Sequence, residues 1–367
     1  MTNLLGRWFK KYFSDPEGVI LAVLLVFGFA VVILFGDMLA PVLASVVIAY
    51  LLEGIVRVLE TRGMKRLWAV MIVFAFFLAL LLFVILGLVP MLSKQLGQLM
   101  QEVPNMVTQG QQTLLLLPEL YPKVVSEAQV TEIMTAIRSG VTELGQQVLS
   151  FSLASISTLF TLLVYLVLLP VLVFFFMKDK QQLVAWITQY MPRESGAAIR
   201  VWKEMDRQIG NYVRGKFAEI VIVGVVSYVV FAFMGLNYAS LLAALVGLSV
   251  VVPYIGAVVV TAPVLLIGYF QWGWTGEFAW LAAAYLIIQA LDGNALVPWL
   301  FSEAVNLHPI AIIVAILVFG GIWGFWGVFF AIPLATLVKA VLGAWPKLSE
   351  ETMAAGEAIK EKQLPEL

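Results

Sequence analysis

Long apolar runs, each near the length that crosses a bilayer, alternate with short polar stretches along this chain. Gly18–Gly36 carries no charge, and after Asp37 the apolar character resumes from Pro41 to Leu52. Leu67–Val89, Phe151–Met177 and Ile220–Gly235 follow. Tyr238–Phe270 is apolar but punctuated by Pro253, Gly256 and Pro263, and Phe278–Leu291 and Pro309–Val338 complete the set. A membrane-crossing helix needs roughly 20 mostly apolar residues at about 1.5 Å rise each. A barrel strand would alternate apolar and polar at every second residue, and no segment here does. The pattern predicts an all-α integral membrane protein.

Two segments break the pattern. In 91–150, Leu92, Leu96, Leu99, Val103 and Met106 recur at helical spacing, as do Val130, Ile133, Ile137, Val141, Leu144 and Val148. The breaks at Leu117-Pro118 and Tyr121-Pro122 divide them, which predicts a helical hairpin forming a small lobe outside the bilayer. In 181–213, Leu183, Trp186, Ile187 and Tyr190, then Ile199, Trp202, Met205, Ile209 and Tyr212, form apolar stripes beside basic residues. That suits two amphipathic helices, lying either at the cytoplasmic interface or against the protein's own inner face.

Charge sets the orientation. Of 22 lysines and arginines, three lie in the N-terminal tail, four in the loop at 53–66, eight in 178–216 and four from Lys339 onward. Only Lys94, Lys123 and Arg138 fall between Pro90 and Ser150, so 91–150 is expected outside and the rest inside. Tail and 53–66 loop then share a side, and 18–52 must go in and come back. Its 35 residues cover about 52 Å as helix, enough for a short or broken hairpin turning near Asp37–Pro41. A cleaved signal peptide fits less well, because the apolar run exceeds the usual length and resumes to Leu52. Counting onward gives about eight spans with both termini cytoplasmic. Segment 238–270 is either one kinked span or a re-entrant hairpin, and the single pass is the reading that leaves the C-terminal lysines inside. The expected divisions are 1–90 (hairpin and third span), 91–150 (outer lobe), 151–177 (span four), 178–216 (amphipathic helices), 217–345 (C-terminal core) and 346–367 (tail).

Composition narrows the chemistry. The chain is 62% apolar and 12% charged, too little polar surface for a soluble protein of 367 residues. With no cysteine and only His308, thiolate catalysis and cysteine- or histidine-cluster metal sites are excluded, so neither a catalytic set nor a metal is expected. The basic stripes lack a recognition motif for nucleic acid.

Between Phe217 and Val338 there is no lysine or arginine, and tyrosines aside the ionisable groups are Glu219, Glu277, Asp292, Glu303 and His308. A carboxylate at membrane depth is costly unless it faces a cavity or a partner, which makes it a functional candidate. Asp292 follows a helix that runs into Gly293, Asn294 and Pro298, and Gln289, Asp292 and Asn294 can converge there; the bland alternative is a loop aspartate. Glu219 stands next in line. Pro253, Tyr254, Gly256 and Pro263 break an apolar stretch, as transporters do where they build mid-membrane substrate and ion sites, although packing kinks also arise so. Gly320, Gly321, Gly324 and Gly327 fall at small-residue spacing that permits close helix approach, with Pro333 following. Trp272, Trp274, Trp280, Trp299, Trp323 and Trp326 read as interface anchors.

Val252-Pro253-Tyr254-Ile255-Gly256 with Pro263, Ala290-Leu-Asp292-Gly293-Asn294-Ala-Leu-Val-Pro298, Val305-Asn-Leu-His308-Pro309, and Gly320-Gly321 through Pro333 resemble the signature blocks of the autoinducer-2 exporter family of permeases, in its PerM-like branch. The blocks cover 252–333. The resemblance implies an eight-span inner-membrane transporter of a small solute, or a sodium/proton antiporter of the same fold. It implies homo-oligomers, pentamers among them, and no cofactor beyond a coupling H+ or Na+. Many relatives carry glutamate at Asp292, and a glycine and a basic residue at Ser302 and Glu303, so the family name does not supply the substrate. No GxxxxGK[ST] phosphate loop is present, so a gradient or the substrate's own potential must drive transport. Two other classes compete. An intramembrane serine hydrolase would use Ser249 and His308, but Val250 replaces the glycine that opens the oxyanion turn. A non-transporting scaffold would dock envelope partners on 91–150.

Overall fold

The computed structural model describes residues 16–120, 131–132, 135–136, 139–140, 143, 156–189, 196–301 and 307–344. Every regular element among them is helical: α1 (Pro16–Thr61), α2 (Arg66–Phe83), α3 (Val89–Leu120), α4 (Ile156–Lys178), α5 (Lys180–Gln189), α6 (Gly196–Phe233), α7 (Ala239–Ser249), α8 (Ile255–Trp272), α9 (Gly276–Leu291), α10 (Val297–Phe301), α11 (Pro309–Phe329) and α12 (Ala331–Ala344). Six helical segments among the described residues are long and apolar enough to cross a membrane: Met38–Thr61, Arg66–Gln112, Asp206–Phe233, Ile255–Trp272, Gly276–Phe301 and Pro309–Phe329. The chain forms two compact units, one of Pro41–Gln181 with Val213–Ser302, the other of Met1–Ala40, Gln182–Tyr212 and Glu303–Leu367.

The first unit has two apolar cores. In one, Ala49, Leu52 and Val56 of α1 pack against Val70, Val73 and Phe77 of α2 and Val173 and Met177 of α4. Arg66 ties the polar end of this core together. Its guanidinium reaches Glu53 at 3.2 Å and Glu60 at 3.3 Å and donates to the Met177 carbonyl at 2.6 Å, while Lys180 pairs with Glu53. The other core joins Val223 and Phe231 of α6, Leu242 and Val246 of α7, Val260 and Val264 of α8, and Leu281 and Tyr285 of α9.

Two π-helical turns widen long helices here, Val84–Leu88 between α2 and α3 and Asp292–Leu296 between α9 and α10. Each ends in the same tripeptide, Leu88-Val89-Pro90 and Leu296-Val297-Pro298. A proline ring clashes with the carbonyl four residues back, and a turn wound more widely accommodates it without ending the helix. The helix expected to stop at Gly293 therefore continues through it.

The segment 238–270 is a hairpin of helices. α7 has 11 residues, about 16 Å, too short to cross. The chain reverses over Val250–Tyr254, and α8 returns along α7. Its open end is closed by Gln271, whose Oε1 accepts from Asn237 N at 2.7 Å and whose Nε2 donates to the Gly235 carbonyl at 2.8 Å. The single-pass alternative is thereby set aside. Its argument from the C-terminal lysines loses force, because a second reversal follows in the other unit. There α11 folds back at Gly324, at φ 58° and ψ −136°, and a Cβ on Gly327 would overlap the Phe319 carbonyl oxygen. Residues eight apart touch, where a straight helix would hold them about 12 Å apart. In the same unit, Tyr212 donates to the Phe329 carbonyl at 2.9 Å, and Gly36 lies against the Trp323 ring.

Two expectations need adjusting. The break in the first pair falls at Phe35 (φ −120°, ψ 16°), two residues before Asp37; there is no loop, and Pro41 lies inside the helix that follows. A kink between helices keeps satisfied the backbone groups that an open turn would leave bare in lipid. The second stripe of 181–213 is likewise no separate helix but the start of α6, which has no breaker between Gly196 and Phe233. In the expected lobe, α3 runs through Pro118 to Leu120, while Tyr121-Pro122 and every residue of the second stripe lie outside the described residues.

Candidate functional site

The candidate site lies in the first unit, where the α7–α8 tip meets α6 and the turn after α9. Pro253 starts the return, and Tyr254 adopts φ 63°, ψ −49° as Ile255 N donates to the Pro253 carbonyl at 2.7 Å. This is the rare γ-turn, strained for a residue with a side chain. Gly256 follows because a Cβ there would overlap the Ser249 carbonyl oxygen. Pro263 sits within α8, ten residues beyond the tip.

A charged pair is buried beneath this tip. Lys216 Nζ lies 2.6 Å from Glu219 Oε2, one helical turn away on α6, and their side chains are only 4% and 3% exposed. The same ammonium donates to the Val250 carbonyl at 2.9 Å and lies 5.2 Å above the Phe301 ring. Val250 caps α7, so its carbonyl stands at the negative end of a helix dipole, where a cation is favoured. The sequence marks the break at Pro253–Gly256 but not the lysine that meets its carbonyl. The stretch without basic residues is real, but Lys216 stands immediately before it and reaches in. Asp292 is therefore not beyond the influence of a positive charge, as the sequence alone suggests. The available signal was the i, i+3 spacing of Lys216 and Glu219 at the start of an apolar helix.

Asp292 opens the second π turn and lines an apolar groove of about 370 Å³ with Ile222, Val223 and Val226 of α6 and Ile288, Leu296 and Trp299. Its Oδ1 is buried and has no hydrogen-bond donor among the described residues. Both Lys216 and Glu219 lie within its electrostatic reach. The convergence expected of Gln289, Asp292 and Asn294 does not occur. Gln289 Nε2 donates to Tyr285 OH at 3.0 Å, and Asn294 donates to the Ala290 carbonyl of its own helix at 2.8 Å. Tyr285, fully buried, also contacts Thr261 Oγ1 at 3.1 Å and donates to the Ala257 carbonyl at 3.3 Å, which joins α9 to α8. Pro298 is the second residue of α10.

The remaining candidates sit elsewhere. In the second unit, His308 caps α11, its Nδ1 accepting from Ile310 N at 3.3 Å, with Pro309 as first helical residue. Ser249, in the first unit, spends its hydroxyl on the Val246 carbonyl at 2.8 Å. Gly320 and Gly327 make close approaches to Val328 and Phe319, whereas Gly321 faces open space and Gly324 serves the turn. Pro333 is buried in the first turn of α12. Ser302 and Glu303 lie outside the described residues. Among the described residues no group of three metal-ligating side chains occurs.

The model of the AI-2E family transporters matches residues 21–347. The chain belongs to the AI-2E transporter family. It is 47% identical over 346 residues to "Putative permease PerM" of Escherichia coli strain K12, covering 94% of this chain and 98% of the relative. It is 23% identical to "Putative transport protein YueF" of Bacillus subtilis strain 168, over 84% of each chain. It is also 23% identical to "AI-2 transport protein TqsA" of E. coli K12, over 92% of this chain and 94% of that one. Membership agrees with the resemblance carried by the motif blocks. Together with its apolar helices it makes this AI-2E transporter a multi-pass membrane protein of a permease family.

Proposed function

We propose that this AI-2E family member is a secondary transporter that moves a small solute across the bacterial inner membrane, coupled to H+ or another monovalent cation. One observation carries the reading. A re-entrant hairpin ends on a buried Lys216–Glu219 pair beside Asp292, a cluster holding one positive and two negative groups. With both carboxylates ionised the cluster lacks one positive charge, and an uncompensated charge at this depth is costly. A proton or a small cation supplies it. Broken helices that expose carbonyls beside such charges are the usual construction of ion and substrate sites in transporters.

In this reading Phe35 bends the first pair of spans, α2, α4 and α6 cross, α7–α8 dips and returns, α9–α10 crosses back, and α11 returns at Gly324. Basic residues at both ends then lie in the cytoplasm. Homo-oligomers, pentamers included, belong to the same reading. A sodium/proton antiporter would use the same three groups, and the printed names of the relatives do not separate it from an exporter.

The test is proton movement in liposomes holding the purified protein, read by entrapped pyranine after a Na+, Li+ or K+ gradient is imposed. Cation-dependent lumenal pH change above protein-free liposomes is expected. Absence of any cation- or proton-linked flux from a correctly inserted, monodisperse protein would refute ion coupling.

A further inference from the structure

The Lys216 ammonium donates to the Val250 carbonyl and pairs by charge with Glu219 Oε2, itself a buried oxygen without a hydrogen-bond donor among the described residues. Within the same site, Asp292 presents a buried oxygen without a donor. Two carboxylates thus face one lysine, and only one of them holds it. A buried ammonium needs an ionised partner, because separation from all negative charge in a low dielectric costs more than any alternative contact returns. Its position follows the charge. Among the described residues, the tip Val250–Tyr254, α7, α8 and α10 contain no aspartate, glutamate, lysine or arginine that would compete. Tyr285 is spent on Ala257 and Thr261, and Arg214 turns toward Gly54.

We propose that Lys216 is a partner-switching latch on the re-entrant hairpin. Paired with Glu219, it holds the tip through the Val250 carbonyl. When a proton or cation neutralises Glu219, Lys216 turns to Asp292 and lets go of the tip. Arrival of one positive charge is thereby converted into release of a structural element, which is what coupling an ion to a moving gate requires. The inference deepens the transport reading, on which its purpose rests, by naming a positioning residue for the coupling ion.

The absence of cysteine makes the latch readable directly. Val251 lies in the tip and is 5% exposed, so a single Val251→Cys reports tip opening by its rate of N-ethylmaleimide labelling in lipid nanodiscs. Glu219→Gln in that background should label about tenfold faster, as local opening becomes populated. Adding Asp292→Asn to Glu219→Gln should return the rate to near that of the parent, because nothing then draws Lys216 from the Val250 carbonyl. Asp292→Asn alone should leave the rate unchanged, and Lys216→Arg should keep the tip closed while Lys216→Met opens it. A merely structural pair predicts the opposite order, with the double variant loosest of all. Parent-like labelling of Glu219→Gln, or faster labelling of the double variant, would overturn the latch. Both variants are isosteric, so the test survives if Lys216→Met fails to fold. Labelling needs no transport, so its outcome is independent of the flux measurement.

Discussion

A lysine and a glutamate three residues apart on a helix are ordinarily a solvated pair of small worth, a few tenths of a kcal/mol. Lys216 and Glu219 differ because both are buried and the ammonium also serves Val250. Removing one partner leaves the other charge unpaired, a loss of roughly 3–5 kcal/mol. Lys216→Met should therefore lower the melting temperature in detergent by several degrees more than Lys216→Arg, because it leaves buried carboxylates without a cation; equal losses would place the pair outside the protein's stability. Tyr254 offers a gain. Tyr254→Gly should relieve its positive φ and raise stability by about 1 kcal/mol in a thermal assay, unless the exposed ring makes a contact worth as much. At this scale the sequence exposes Asp292, Pro253 and Gly256, because charge scarcity and helix breakers are local signals. It hides Lys216, whose role depends on which helix face turns inward, and it misplaces Gln289 and Asn294, whose amides satisfy nearer partners.

The apolar runs overlap each of the six described segments long and apolar enough to cross, but they do not show where a helix bends. Two proline-bearing stretches look alike in sequence and differ in outcome. Pro298 follows a widened turn that carries the helix on, whereas Pro253 with Gly256 reverses the chain, since Gly256 allows contact with Ser249. In sequence, Gly320 to Gly327 looks like a packing stripe, because small residues at three- or four-residue spacing serve both close approach and reversal. The hairpin assignment has a direct test in a cysteine-free chain. Asn237→Cys with Gln271→Cys should cross-link under mild oxidation, since the Gln271 side chain already meets the Asn237 backbone at the open end. A Tyr238→Cys and Trp274→Cys pair should label from one side of the membrane. Failure to cross-link together with labelling from opposite sides would restore the single pass. Pro253→Ala should slow cation-linked flux at normal abundance, and unchanged flux would reduce the break to packing.

For the whole molecule, the distribution of basic residues rather than any fold pattern gives the expected topology. Gln111 lies in α3, within the segment expected outside, and Gln111→Cys should react with an impermeant maleimide in intact spheroplasts. Labelling only after lysis would invert the arrangement. At the centre stands the Lys216–Glu219–Asp292 cluster, which needs the ionised Asp292 carboxylate in order to take up a coupling charge. The decisive measurement is the pH and cation dependence of flux in proteoliposomes for Asp292→Asn against the parent. Asparagine mimics a permanently protonated carboxyl, so a proton-coupled carrier should lose its pH dependence and a cation-coupled one its cation stimulation, by about tenfold or more, equivalent to ~1.4 kcal/mol. An Asp292→Asn protein whose flux, pH profile and ion dependence all match the parent would contradict the account.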